Sequence, residues 1–178
     1  MRRVELPTVG MRTVKTAVAV VICFLLFLPF WVRVPPGGHD PLKDVGPFYA
    51  CIAAVICMQG TVGQSIKQGI FRLVGTAIGG LVGLALLLLG DLIQVPLVTG
   101  LLLGVGVLLT LWCCNLIKRP EACSIGCVVV CVVILNHPEE AERYLYTIFR
   151  ILETMVGILV AVAVNRLLPD FRKKENPQ

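Results

Sequence analysis

Charged residues are scarce in this chain. Asp, Glu, Lys and Arg make up 15% of its 178 residues, where a soluble domain carries about a quarter. With 57% of residues hydrophobic and a mean hydropathy of +0.87, a soluble globular domain is excluded. Catalytic signatures are missing too. No paired carboxylates, nucleophile elbow, phosphate-binding glycine loop or metal-ligand motif can be picked out, so the chain does not read as an enzyme. The two histidines, His39 and His137, both fall in loops. The eight cysteines lie inside apolar segments and form no CxxC pair, whereas a metal site would need further ligands converging there. Cys123, Cys127 and Cys131 share one helix face and read as small, polarizable packing residues. No cofactor, metal or disulfide framework is expected. The net charge of +5 does not make a nucleic-acid surface, because the basic residues sit at segment ends.

What the chain has in abundance is apolar runs on the scale of a bilayer. They predict an all-α integral membrane protein, a single membrane domain over residues 1–178, with six transmembrane helices at about 14–34, 47–60, 64–89, 96–117, 122–135 and 141–168. The basic start before the first run resembles a signal peptide. The run is too long for one, however, and no small-residue cleavage site follows it, so it reads as a retained helix. The second run is short for a straight crossing, and Thr61 or Ser65 can cap the helix after it. Six crossings put both termini on one side. Twelve of the sixteen Lys and Arg then lie near that side, which makes it cytoplasmic by the positive-inside rule.

One stretch occurs twice. Ile70-Phe71-Arg72-Leu73-Val74-Gly75-Thr76-Ala77-Ile78-Gly79-Gly80-Leu81-Val82 matches Ile148-Phe149-Arg150-Ile151-Leu152-Glu153-Thr154-Met155-Val156-Gly157-Ile158-Leu159-Val160 at seven of thirteen positions. Each copy heads a helical stripe of polar and small groups: Gln64, Gln68, Arg72, Thr76 in one, and Glu142, Tyr146, Arg150, Thr154 in the other. The two copies start from opposite faces of the membrane, so the predicted unit is an inverted repeat of three helices plus three. In transporters such repeats hold their binding site near the midplane between the halves.

At this point the residues resemble a known family. Met58-Gln59-Gly60-Thr61-Val62-Gly63 leading into Gly69-Ile70-Phe71-Arg72-Leu73-Val74-Gly75-Thr76 is similar to the opening signature of the aromatic acid exporter family, related to fusaric acid resistance exporters. Arg150 to Gly157, followed by Val164-Asn165-Arg166-Leu167-Leu168-Pro169, resembles its closing helix, and Val14-Lys15-Thr16-Ala17 and Pro47-Phe48-Tyr49-Ala50 fit as well. Gly60 stands where the family usually has proline. The chain also stops soon after the sixth helix, where many members carry a cytoplasmic C-terminal domain or a second membrane unit. The resemblance implies a multi-pass protein of the bacterial inner (cytoplasmic) membrane in an efflux or anion-permeation superfamily. Plant aluminium-activated malate channels look like distant relatives that work as dimers.

These readings give an expected function: efflux of aromatic or other organic carboxylates. Arg72 and Arg150 would hold the carboxylate, with Thr76, Thr154 and Gln68 as hydrogen-bond partners. The alternatives are a passive anion channel and a non-transporting assembly or regulatory subunit. Arg72 can equally be read as reaching the interface. Arg150 is expected inside the hydrocarbon and is the arginine expected to matter more. Glu153 reads either as an i,i+3 partner of Arg150 or as a proton-coupling carboxylate. The expected partners are the lipid bilayer, a small organic anion and a second copy of the chain in a homodimer. The glycine faces of the third helix (Gly75, Gly79, Gly83) and the fourth (Gly100, Gly104) are expected to need close neighbours.

Overall fold

The computed structural model describes residues 10–33, 46–90, 96–135 and 143–168. The loops expected at 35–41 and 136–140 and the basic chain ends lie outside the described residues. The described residues form six α-helices and no strand: α1 Met11–Arg33, α2 Pro47–Cys57, α3 Val62–Gly90, α4 Pro96–Leu116, α5 Cys123–Leu135 and α6 Arg143–Leu167. Helices α1, α3, α4 and α6 are long and apolar enough to cross a membrane, whereas α2 and the stretch Pro120–Leu135 are shorter apolar helices. At 1.5 Å per residue, α2 covers only about half of a hydrocarbon core roughly 30 Å thick.

The breaks between helices have local causes. Met58 turns extended (φ −73°, ψ 100°), so α2 stops at Cys57 and not at Gly60. The freed carbonyl of Met58 accepts a bond from Arg12 Nε at 3.0 Å, and that of Gln59 accepts one from Asn165 Nδ2 at 2.9 Å. Thr61 Oγ1 then caps α3 by accepting the Gln64 N–H at 3.3 Å. Ser65 Oγ instead accepts the Gln59 N–H at 3.0 Å. At the end of α4, Lys118 sits at φ 57°. Arg119 N–H reaches back to Cys114 O and Lys118 N–H to Asn115 O, both at 3.0 Å. This is a Schellman cap with lysine in the place usually held by glycine.

Inter-helix registers fix the directions. Lys15 Nζ meets Asn165 Oδ1 at 3.1 Å, and Asn165 Nδ2 donates to Ser65 Oγ at 2.9 Å. Gly69 lies against Ile158 and Gly80 against Thr147, so α3 and α6 run antiparallel. The packing is the same when the two halves are exchanged: α3 packs on α5 as α6 does on α2, α1 on α2 as α4 on α5, and α1 on α6 as α4 on α3. The chain is therefore an inverted 3+3 repeat in packing as well as in sequence. The start of α1, the end of α6 and the α2–α3 break share one end of the bundle, called here the terminal face; the α4–α5 turn lies deeper, beside Phe71 and Gly75 of α3.

The repeat's matched glycines do matched work. A Cβ at Gly79 would meet the Gly126 carbonyl of α5, and a Cβ at Gly157 would meet the Ala50 carbonyl of α2. Each long helix thus admits the short helix of the other half to backbone contact. Small side chains continue this around α1, α2 and α6, where Ala19, Cys23, Ala50, Ala54, Cys57 and Ala161 are fully buried. The glycine face of α3 accordingly finds the close neighbour expected of it within the chain, in α5. Gly100 and Gly104 on α4, in contrast, have nothing within 4 Å.

Candidate functional site

The two short helices begin near the middle of the long ones. Gly75 of α3 sits against Ala122 and Gly126 at the start of α5. Glu153, its counterpart in the repeat, accepts the N–H of Gly46, the N-cap of α2, at 2.9 Å. From these matched points α5 runs toward one face beside Gly79 and Gly83, and α2 toward the other beside Gly157. Two helix N-termini are thereby brought to mid-depth between the halves. Half-helix N-termini of this kind carry partial positive charge and favour anions.

A cavity of ≈ 300 Å³ lies there, lined by Tyr49, Ile52 and Ile56 of α2, Arg72 and Thr76 of α3, residues of α5 from Ser124 to Val133, and Arg150 and Thr154 of α6. That volume is at the lower end for small-molecule sites. Of the residues expected to form a site, Arg72, Arg150, Thr76 and Thr154 come together on this cavity. Gln68 does not line it. It lies one turn earlier on α3, in a separate polar crevice of ≈ 380 Å³ on the terminal face. Glu153 does not line it either, and borders an apolar crevice with Phe27, Phe30 and Phe149.

The two arginines have unlike surroundings. Arg150 Nη1 pairs with Glu153 Oε2 at 3.1 Å, and Glu153 is 2% exposed. The Arg150 guanidinium also stacks 3.5 Å from the Tyr49 ring centroid and 4.2 Å from that of Tyr146, well within cation–π range. Its charge is thus offset and its plane fixed. Arg72 is 7% exposed, and no carboxylate pairs with it among the described residues. Its Nε, like that of Arg150, is buried without a partner, and position 75, where the repeat would place a matching acid, is glycine. A buried, unpaired cation is expensive to maintain.

The stacking tyrosines and Ser124 were absent from the residues expected from sequence. Tyr146 lay on the polar stripe of the second repeat. Tyr49 and Ser124 carry no spacing signal, because they reach the cavity only through the packing of short helices against the opposite half.

A family model described as fusaric acid resistance protein-like matches residues 22–164, which takes in α2 to α5 whole, the second half of α1 and most of α6. No curated protein and no solved structure matches the chain. The apolar helices and this match make it a multi-pass membrane protein, and the chain belongs to the fusaric acid resistance protein-like family, a family of membrane transport and resistance proteins.

Proposed function

We propose that the chain exports organic carboxylates, aromatic ones among them, and that Arg72 is the principal anion ligand. The observation that carries this is the unpaired Arg72 guanidinium on a cavity between two helix N-termini. A carboxylate there would supply the counter-charge that the fold leaves out, in a bidentate geometry that lysine does not offer. Arg150, held by Glu153 and the two tyrosines, is a weaker ligand that shapes the far wall, and Thr76 and Thr154 offer hydroxyls on either side. The Ile52, Ile56 and Ile125 side chains suit the apolar body of the anion. We place both termini in the cytoplasm on the positive-inside reading, and the protein in the bacterial inner membrane because the family resemblance implies it. A homodimer is proposed, with the open Gly100–Gly104 notch of α4 as one contact for a second helix.

The test is release of radiolabelled benzenesulfonate, an aromatic anion without a membrane-permeant neutral form, from liposomes holding the purified chain. Release above that of protein-free liposomes, inhibited by benzoate, is expected. Absence of release, together with recovery of the chain only in an obligate complex with another protein, refutes transport by this chain and favours an assembly subunit.

A further inference from the structure

The polar crevice on the terminal face is lined by Gln59, Gln64, Lys67, Gln68, Phe71 and Glu121. It and the cavity draw on the same three segments, one helical turn apart. Ile56 of α2 lines the cavity and Gln59 the crevice. Arg72 lines the cavity and Gln68 the crevice, on one stripe of α3. Ser124 lines the cavity and Glu121 the crevice. The crevice occupies the depth that α5 leaves empty by starting beside Gly75. Exposed Lys67 and Glu121 line it, and charges at such a place need water. Phe71, 2% exposed, lines the crevice, and its neighbour in the chain, Arg72, lines the cavity.

Two cations hold that ring. Lys67 Nζ lies 5.5 Å from its centroid and Arg119 Cζ 5.6 Å. Arg119 is delivered by the Schellman turn at Lys118, whose left-handed backbone is strained for a lysine. We infer that the crevice is the inner mouth of the cavity: a first docking site for a carboxylate, with Phe71 as the partition and Lys67 and Arg119 as both its latch and the anion's ligands. An anion pairing with either cation draws it off the ring, since a carboxylate is the stronger partner. Docking therefore loosens the partition that stands before Arg72. The inference rests on the reading of the cavity as an anion site.

The experiment uses the full chain carrying Thr76→Cys in sealed vesicles. An anionic sulfonatoethyl or a cationic trimethylammonioethyl methanethiosulfonate is added to one face, and modification is read by peptide mass spectrometry, which separates position 76 from the native cysteines. Gln64→Cys marks the crevice face. From that face, Phe71→Ala should speed modification at position 76 at least tenfold for both reagents. If Phe71→Ala does not accumulate, Phe71→Leu, which keeps an apolar filler without the ring, should speed it about threefold. Lys67→Gln with Arg119→Gln should slow the anionic reagent about tenfold and leave the cationic one unslowed. Entry from the opposite face only, indifference to the residue at 71, or equal slowing of both reagents would each overturn the inference. Protection of position 76 by benzoate is read in the same vesicles. Loss of protection alone sinks the anion-site reading, while the pattern of modification still decides the mouth.

Discussion

Removing the charge at position 72 should cost the protein more of its affinity for carboxylates than removing the charge at 150 together with its acid. Arg72→Gln deletes the one cationic group on the cavity that no carboxylate offsets. Truncating one member of a buried, hydrogen-bonded charge pair costs about 2–5 kcal/mol. At 1.4 kcal/mol per tenfold, this is a roughly 30- to 3000-fold rise in Kd. Arg150→Ala alone is a poor comparison, since it would strand Glu153 as a buried anion on the 2%-exposed side of a broken pair. The informative variant is Arg150→Gln with Glu153→Gln, which is neutral overall. It surrenders only what Arg150 offers beyond its pairing, about one hydrogen bond to a charged ligand, or about 1.5–3 kcal/mol. Benzoate titrated calorimetrically into detergent-solubilised protein gives both values. The reasoning is refuted if Arg72→Gln binds within threefold of wild type while the neutral double variant does not bind. Arg150 would then be the principal ligand, as the sequence alone suggests.

Three further outcomes follow from the packing. Gly79→Ala and Gly157→Ala, whose new methyls would meet backbone carbonyls, should each destabilise by about 1–3 kcal/mol. Gly100→Ala, with open space around it, should leave the monomer's thermal unfolding in detergent unchanged. Asn165→Leu removes the partner of buried Lys15, of Ser65 Oγ and of the Gln59 carbonyl. It should cost about 3 kcal/mol or more in stability, and restoration by Asn165→Gln to near wild-type Tm would refute the need for this geometry. Glu153→Gln keeps an acceptor for Gly46 but loses the ion pair. Flux in that variant should respond to an imposed proton gradient as wild type does, and a lost response would make Glu153 the coupling group.

The sequence carried the scaffold because its signals are local or periodic. Apolar run length marks the spans, Thr61 marks a cap, and the register of Arg72 with Arg150 and Thr76 with Thr154 exposes the repeat. Inversion followed from an odd number of helices per half. What stayed hidden depends on which helix fills which groove. The Gly79 face looks like an oligomer surface until Gly126 is found in it. Gln68 lies on the arginine stripe, yet one turn of α3 carries it out of the cavity. Arg150 looks like the stronger anion ligand because its depth can be read from spacing, whereas the two tyrosines that sandwich it cannot.

The differences between the halves matter as much as their likeness. An inverted repeat with identical halves would present the same electrostatic landscape from either face of the membrane, and binding alone would give an anion no reason to prefer one mouth. In this chain two divergent positions change the charge and polarity around the matched helices. Gly75 faces Glu153 in the alignment, which leaves one arginine bare and the other offset. Asn165, at the heart of the polar knot on the terminal face, is matched by Leu87, which is buried with Val133 and Tyr146. The terminal face thus carries a polar knot, where the matching position of the first repeat is packed among apolar side chains. The glycines that let the halves interlock are retained in both copies, at 79 and 157. Symmetry is kept at the interlocking glycines and at the cavity's Arg72/Arg150 and Thr76/Thr154 pairs, and broken at the groups around those arginines. If the proposed transport runs in one direction, that division would place its bias in a handful of side chains and leave the backbone free to stay two-fold.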